Sequence, residues 1–483
     1  MKNLLIEPPA ISEFGNQRIM GGFGSNKSDF AWPPLDLMTI SGCLEKYDFE
    51  TEIEDFNNTK RTFEDVRQMI IEKKPKMIVF STSSTSIYHD LKIADVAKQI
   101  SKDILTVAIG VHVMGLKDEI LEYNKNLDVA VYSEPEWVIL NLVKNNYQPE
   151  NVLGLCYRQN SLIKENQPQP NIEDIEKFGF PSHDKIPIEI YHDPITRRRP
   201  LALVMAQRGC IGQCTFCCQP SFWGKLRQRS IPHVIKELKW VEQLGYKEVF
   251  WNDSRLTANL QWSHKLMDAI IDNKINLTWS CTDHSTSGIG QDQELLKKMK
   301  KAGCHSIRMG LESANPQILK NIRKGTTPER VRQTTKMIKK AGLDVLLFTI
   351  FGLPGETKET IKETIDFVKS LNVDFATFGI AQPYPGTPFY KYLEENNYLK
   401  TKDWSKYDPT KAPVYEYPNL SSQEILDAHY KALRNFYLRP SYIFKRILKI
   451  RSFYDITNNI KHFIEFIQRY GQKTSNNYRN CSK

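Results

Sequence analysis

The chain lacks several features that would settle its class at once. It has no uninterrupted run of about 20 apolar residues, so no ordinary transmembrane helix is expected. Its first residues, MKNLLIEPPA, hold one lysine and a short apolar run stopped by Pro8, which is too brief for a secretory leader and reads better as a first β-strand. We expect a cytoplasmic protein, with at most a peripheral contact at the inner membrane face. No GxGxxG fingerprint occurs, which argues against a dinucleotide ligand. No recognition module for nucleic acid is visible, so none is expected as a partner. Cysteine is scarce outside one spot: of nine in the chain, four fall between Cys210 and Cys218. An odd, clustered set does not spell a disulfide framework.

What the chain does hold is ordinary globular material, 40% apolar and 25% charged over 483 residues. That length exceeds one typical domain. Residues 1–148 alternate apolar strand signals (NLLIE, TEIEDF, KMIVFS, ILTVAIG, DVAVY) with helical ones, the pattern of a doubly wound, Rossmann-like α/β domain. Residues 149–192 are polar and carry Pro149, Pro168, Pro170, Pro181 and Pro187, which reads as a linker. A second alternation follows over 193–395. Its strand candidates are RPLALVMA, KEVFWND, LTWSCTD, SIRMGLES, DVLLFTIFGLP and FATFGIAQPYP. Six βα units make an open partial (β/α)6 barrel, in which chemistry sits at the C-terminal ends of the strands. Residues 396–483 turn helical and basic.

The cysteines lie just past the first of those six strands, in RGCIGQCTFCCQ (208–219). Cys210-x3-Cys214-x2-Cys217 places three soft, anionic ligands on one short loop, as an iron–sulfur cluster requires. Structural zinc would want a fourth ligand, usually from a second knuckle, and the remaining cysteines supply none. Three thiolates on a cube of four irons leave one iron open for a chelating molecule. Backbone geometry disfavours two adjacent ligands to one cube, so Cys218 reads as a spectator.

This triad, with Phe216 before its last cysteine, resembles the signature of radical S-adenosylmethionine (SAM) enzymes, in particular the subfamily fused to a cobalamin-binding domain. Further strand-end motifs appear in the family's order: WNDSRLT (251–257), GLES (310–313), GLPGET (352–357) and YPGTP (384–388). The resemblance spans roughly residues 1–400. It implies a [4Fe-4S] cluster on Cys210, Cys214 and Cys217, SAM on the open iron, and reductive cleavage of SAM to a 5′-deoxyadenosyl radical. It also implies an electron donor such as flavodoxin or ferredoxin. By the same resemblance, Phe216, Asp253, Glu312, Ser313, Gly352 and Pro354 contact SAM. Asn252 stands where an acidic residue is commoner. The residues alone also allow a turn at Asp253 and a helix N-cap at Ser313. Met205, Met309 and Phe351 read as core.

The N-terminal strand ends FSTSSTS, GVHVMG and VYSEPE are similar to the loops that take the nucleotide tail of cobalamin in related chains. The similarity assigns Ser81, Thr82, Ser83, Ser84, Gly110, His112, Ser133, Glu134 and Glu136 to cobalamin. The Asp-x-His-x-x-Gly motif is absent, so no histidine from it would lie beneath cobalt. The alternative is a remnant sheet that binds nothing.

Residues 439–483 hold ten Lys and Arg against Asp455 and Glu465. YIFKRILKI interleaves apolar and basic residues, which suits an amphipathic helix packed on the barrel or lying on an anionic membrane. Three functions stay open. The first is a cobalamin-dependent methyltransferase acting on an unactivated carbon of a small molecule, a lipid or secondary metabolite. The second is a cyclase, rearrangement or carbon–carbon coupling enzyme on the same scaffold. The third is a non-catalytic iron–sulfur protein.

Overall fold

The computed structural model describes residues 3–12, 15–18, 24–25, 30–408 and 411–448. Five parallel strands, β1 (Asn3–Glu7), β2 (Thr51–Asp55), β3 (Met77–Ser81), β4 (Leu105–Ile109) and β5 (Val129–Val131), form the N-terminal sheet in the order 2-1-3-4-5. The order reverses between β1 and β3, which is the switch point where such sheets bind ligands. Successive side chains alternate between two buried layers. Leu4, Ile6, Ile78 and Phe80 pack with the helices Phe63–Lys73 and Lys92–Ile100, while Leu5, Met77 and Val79 pack under Leu35–Lys46 and Pro135–Lys144. Burial on both faces explains why these strands read as continuous apolar runs.

Two findings depart from the sequence reading. Within the stretch read as a linker, β6 (Leu155–Gln159) and β7 (Leu162–Glu165) form a hairpin that adds antiparallel to β5. Its turn residues Asn160 and Ser161 take the left-handed conformation that a two-residue turn demands. The helix Val111–Tyr123, absent from the sequence reading, starts at Gly110 and has a non-helical residue at Leu116, which blurs its periodicity.

The second sheet holds β8 (Leu201–Val204), β9 (Glu248–Trp251), β10 (Thr278–Asp283), β11 (Cys304–Glu312), β12 (Asp344–Phe351) and β13 (Phe375–Ile380), all parallel and in chain order. Its outer helices start at side-chain caps: Ser230, Asn259, Asp292, Thr327 and Thr357 each accept from a first-turn N–H. The edge strand β13 is covered by the helix Ser422–Tyr437, whose Tyr437 hydroxyl donates to Ala376 O at 2.8 Å. Trp32, from the N-terminal domain, packs on Phe250 of β9 at a ring distance of 4.8 Å and donates to Asp193, which pairs with Arg308 of β11. No helix among the described residues is long and apolar enough to cross a membrane.

Candidate active site and cofactor cavities

The chain leaves β8 and turns at once into a closed loop. Gln207–Arg208 pairs antiparallel with Arg227–Gln228, and Cys210 N–H bonds Gly224 O at 3.2 Å, so residues 210–224 are drawn in at their base. Gly209 has φ +87°, and a Cβ there would collide with the carbonyl of Lys225, so only glycine closes this base. Inside the loop the Cys210 sulfur accepts from Gly212 N–H at 3.3 Å and the Cys217 sulfur from Gln219 N–H at 3.5 Å. Such N–H···S contacts favour thiolates. Burial pushes the Cys217 thiol up to about 12 when no cation is bound, and Cys218, buried behind it, well above its ordinary value. Among the described residues no three candidate ligands are close enough for a single ion. Three thiols on one short loop, at positions 210, 214 and 217, are the ligand type and spacing of an iron–sulfur cluster.

The C-terminal strand ends converge on these sulfurs. Glu312 ends β11 with φ +65°, its Oε1 accepting from Lys324 Nζ at 2.7 Å while Oε2 is buried without a partner. The Lys324 ammonium lies 6.0 Å from the Phe216 ring and pulls the Cys214 thiol down against the upward push of burial. Arg255 reaches Gly212: a Cβ there would come within 2.8 Å of Arg255 Nη2 and 3.4 Å of the Cys210 sulfur. Two cations thus flank the triad and offset its negative charge. Asp253 Oδ2 accepts from Ala206 N–H at 3.2 Å, Oδ1 is buried without a partner, and burial raises its carboxyl to about 8. His284 Nε2 is likewise buried and unpartnered, and burial lowers the ring to about 2, so it stays neutral. Unmatched polar atoms on Asp253, His284 and Glu312 beside a sulfur loop flanked by two cations fit a zwitterionic ligand such as SAM.

The other expected SAM residues are partly committed elsewhere. Ser313 Oγ lies 3.2 Å from the Thr364 hydroxyl and accepts from Asn315 N–H; it is not the helix cap, since the helix Pro316–Asn321 is capped by Asn315, whose Oδ1 accepts from Gln317 and Ile318 N–H. Gly352 donates to Glu356, and its carbonyl accepts from the Tyr415 and Tyr417 hydroxyls. Pro354 O accepts from Asn321.

In the N-terminal sheet most of the expected hydroxyls bond to protein. Ser81 bonds Glu7, Thr82 bonds Ile109 O, Ser83 bonds Ser86, and Ser84 lies 3.1 Å from His112 Nδ1. His112 is fully buried, its ring stands edge-on to Trp404, and its Nε2 has no partner. Beyond β4 and β5 lies a small recess, with room for about one water molecule, lined by Gly110, Val111, Met114, Ser133, Pro135 and Trp223, among others. The Trp223 indole N–H is buried and unpartnered. Glu134 and Glu136 do not open onto free space. Glu136 grips Arg208 through both oxygens at 2.6 and 2.9 Å, and Glu134 grips Arg227 at 2.6 and 2.8 Å.

The sequence reading passed over Arg208, Arg227, Arg255, Lys324 and His284. All but His284 are basic residues in or beside loops, where charge is ordinary and carries no signal; only the RGC context singled out Arg208.

Fold and site together define an iron–sulfur barrel enzyme fused to a ligand-binding doubly wound domain. Comparison with known proteins agrees. The radical SAM superfamily model matches residues 204–368 and the B12 binding domain model residues 24–142. An uncharacterised methyltransferase of Pyrococcus horikoshii is 31% identical over 459 residues, covering 94% of this chain and 96% of that one. An anaerobic magnesium-protoporphyrin IX monomethyl ester cyclase of Cereibacter sphaeroides is 27% identical, covering 85% and 68%. The structure of OxsB, a cobalamin-dependent SAM radical enzyme solved with aqua-cobalamin and SAM, superposes with a TM-score of 0.71 at 15% identity over 97% of this chain and 72% of that one. The chain belongs to the cobalamin-binding radical SAM enzymes, the family of cobalamin-dependent radical SAM methyltransferases. It carries the domains for a [4Fe-4S] cluster with SAM and for cobalamin.

Proposed function

We propose that the protein transfers a methyl group to an unactivated carbon of a small organic substrate, a secondary metabolite or a lipid. The observation that carries this reading is the direct contact of the two cofactor domains: Arg208 and Arg227, at the base of the sulfur loop, grip Glu136 and Glu134 just beyond β5. When bound, the cluster supplies one electron to SAM, and cobalamin serves as the methyl carrier. Cys210, Cys214 and Cys217 hold the cluster. Lys324 and Arg255 neutralise its charge, and Glu312 and Asp253 present their unmatched oxygens to the SAM ammonium and ribose. Phe216 packs beside the cluster, while the backbone at Gly352 and Pro354, with Ser313, shapes the wall around the nucleoside. Ser84, Gly110, His112 and Ser133 frame the cobalamin side, together with Ser81, Thr82 and Ser83. The electron comes from a small redox protein of the flavodoxin or ferredoxin class.

The test is an anaerobic product assay on the reconstituted protein with hydroxocobalamin, reductant and SAM. Formation of both 5′-deoxyadenosine and S-adenosylhomocysteine supports the methyltransferase. Deoxyadenosine alone supports a cyclase or coupling enzyme, the reading favoured by the similarity to the protoporphyrin ester cyclase. Neither product sinks both. An anionic membrane surface is the partner we propose for the C-terminal helix Pro440–Leu448, on which Phe444, Ile447 and Leu448 are exposed. The stretch beyond Leu448 lies outside the described residues.

A further inference from the structure

Tyr415 lies 63 residues beyond Gly352 in the chain, yet its hydroxyl donates to Gly352 O and to Ala381 O, both at 3.0 Å. Those two carbonyls belong to the residues immediately after β12 and β13. The Tyr417 hydroxyl donates to the same Gly352 O at 2.8 Å. Gly352 N–H is taken by Glu356 Oε2 at 2.6 Å, so this residue is held through both of its backbone polar groups. It has φ +84°, and a Cβ there would collide with the Tyr415 oxygen, so glycine alone lets the phenol approach. Tyr415 is fully buried and Tyr417 nearly so. Without their hydroxyls these carbonyls would lose partners in a place that water does not reach, which is unfavourable.

The same side chain reaches the sulfur loop. The Tyr415 ring stands edge-on to Phe389 at 5.5 Å, and Phe389 N–H donates to Thr215 O at 2.9 Å, one residue after Cys214. Thr215 N–H in turn donates to Ile322 O at 3.0 Å, and the neighbouring Asn321 side chain donates to Pro354 O at 3.0 Å, which closes a ring of contacts back to the turn. The segment that carries the tyrosines is itself pinned: Lys400 N–H donates to Val414 O at 2.7 Å, and Leu399 and Tyr415 form an antiparallel bridge. We propose that Tyr415 and Tyr417 are positioning residues that fix the backbone at Gly352 and Pro354 against the sulfur loop, and so set the affinity of the site for the nucleoside of SAM. The inference rests on that turn lining SAM, as the proposed function has it. It makes residues outside the barrel part of the SAM site.

The test is equilibrium dialysis of radiolabelled SAM against the full-length protein, loaded with its cluster and left unreduced so that no turnover intervenes. Tyr415→Phe keeps the ring against Phe389 and removes only the hydroxyl. Tyr417→Phe does the same for the second bond, and it decides the matter if Tyr415→Phe folds poorly. Each should raise the dissociation constant for SAM about five- to tenfold, with iron content and the number of binding sites unchanged. A role in folding alone would lower the number of sites and leave the dissociation constant of the remainder as in wild type, and that result overturns the proposal. Pro354→Gly loosens the turn directly and tests the placement beneath the inference. If Pro354→Gly weakens SAM binding while both Phe variants bind like wild type, the tyrosines have no such role. If Pro354→Gly leaves binding unchanged as well, the turn does not line SAM, and the placement fails together with the inference. Wild-type protein that binds no SAM overturns both.

Discussion

Lys324 Nζ sits 2.7 Å from Glu312 Oε1, and this buried pair lies against the sulfur loop, where the ammonium pulls on the Cys214 thiol. Each partner needs the other: an unpaired charge at this depth would cost several kcal/mol. The pair places one cation beside three thiols and leaves Glu312 Oε2 buried and unmatched.

Replacing Lys324 by Met should therefore do two things. It removes a charge that offsets the cluster, and it frees Glu312 to repel it. We expect SAM cleavage to fall about 10- to 100-fold, the size usual for groups that support metal ligands, with the cluster's reduction potential moving lower. Lys324→Arg should recover part of both. A Met variant with wild-type deoxyadenosine formation and an unchanged potential would remove Lys324 from the site.

The cysteines separate by the same logic. Ala at Cys210, Cys214 or Cys217 should abolish iron and sulfide content after reconstitution. Cys218→Ala should keep both, because its thiol is buried behind the loop and held neutral by burial. The cost there is packing alone, roughly 1 kcal/mol. Loss of the cluster in Cys218→Ala would mean that the ligand set is misassigned.

How far the sequence could be read follows from what each feature depends on. Most strands of both sheets were legible because they are buried on both faces and so appear as apolar runs, as in MIVFS (77–81), while TEIED (51–55) shows through alternation. The sulfur loop was legible because thiols at that spacing have little other use. The hairpin at 155–165 was hidden by its setting among prolines, since β7 is largely exposed and lacks an apolar signature. Long-range charge pairs were the least visible. Glu136 and Arg208 are 72 residues apart, Lys324 lies 110 beyond Cys214, and nothing local marks either as buried.

A pH prediction follows from Glu356. Its Oε2 accepts from the N–H groups of Gly352 and Leu353 at 2.6 and 3.1 Å, its Oε1 has no partner, and burial raises the carboxyl to about 8. The folded state then binds a proton that the unfolded state has released. Its contribution is complete below the unfolded value near 4.5 and is lost as pH rises through about 8. Between those values stability should fall by up to about 1.4 kcal/mol per pH unit from this group. Glu356→Gln, which keeps an acceptor for both N–H groups and cannot ionise, should flatten that slope. Urea midpoints measured from pH 5 to 8 decide the matter: parallel curves for the two proteins would show that Glu356 does not titrate as described.

The C-terminal helix supplies the last prediction. Tyr442 is buried and donates to Asp374 O at 3.0 Å, and Lys445 reaches Asn372 O at 2.8 Å, so one face of Pro440–Leu448 is fixed to the barrel. The opposite face shows Phe444 at 64%, Ile447 at 57% and Leu448 at 69% exposure. Three neighbouring apolar side chains in water, followed in sequence by basic residues, favour an anionic bilayer, where each buried large apolar side chain contributes about 1.5–3 kcal/mol. Phe444→Glu combined with Leu448→Glu leaves the barrel-facing contacts untouched. It should reduce cosedimentation with vesicles containing phosphatidylglycerol at least tenfold, and high salt should reduce wild-type binding in the same direction. Wild-type protein that ignores such vesicles at low salt would rule out the membrane as the partner of this face.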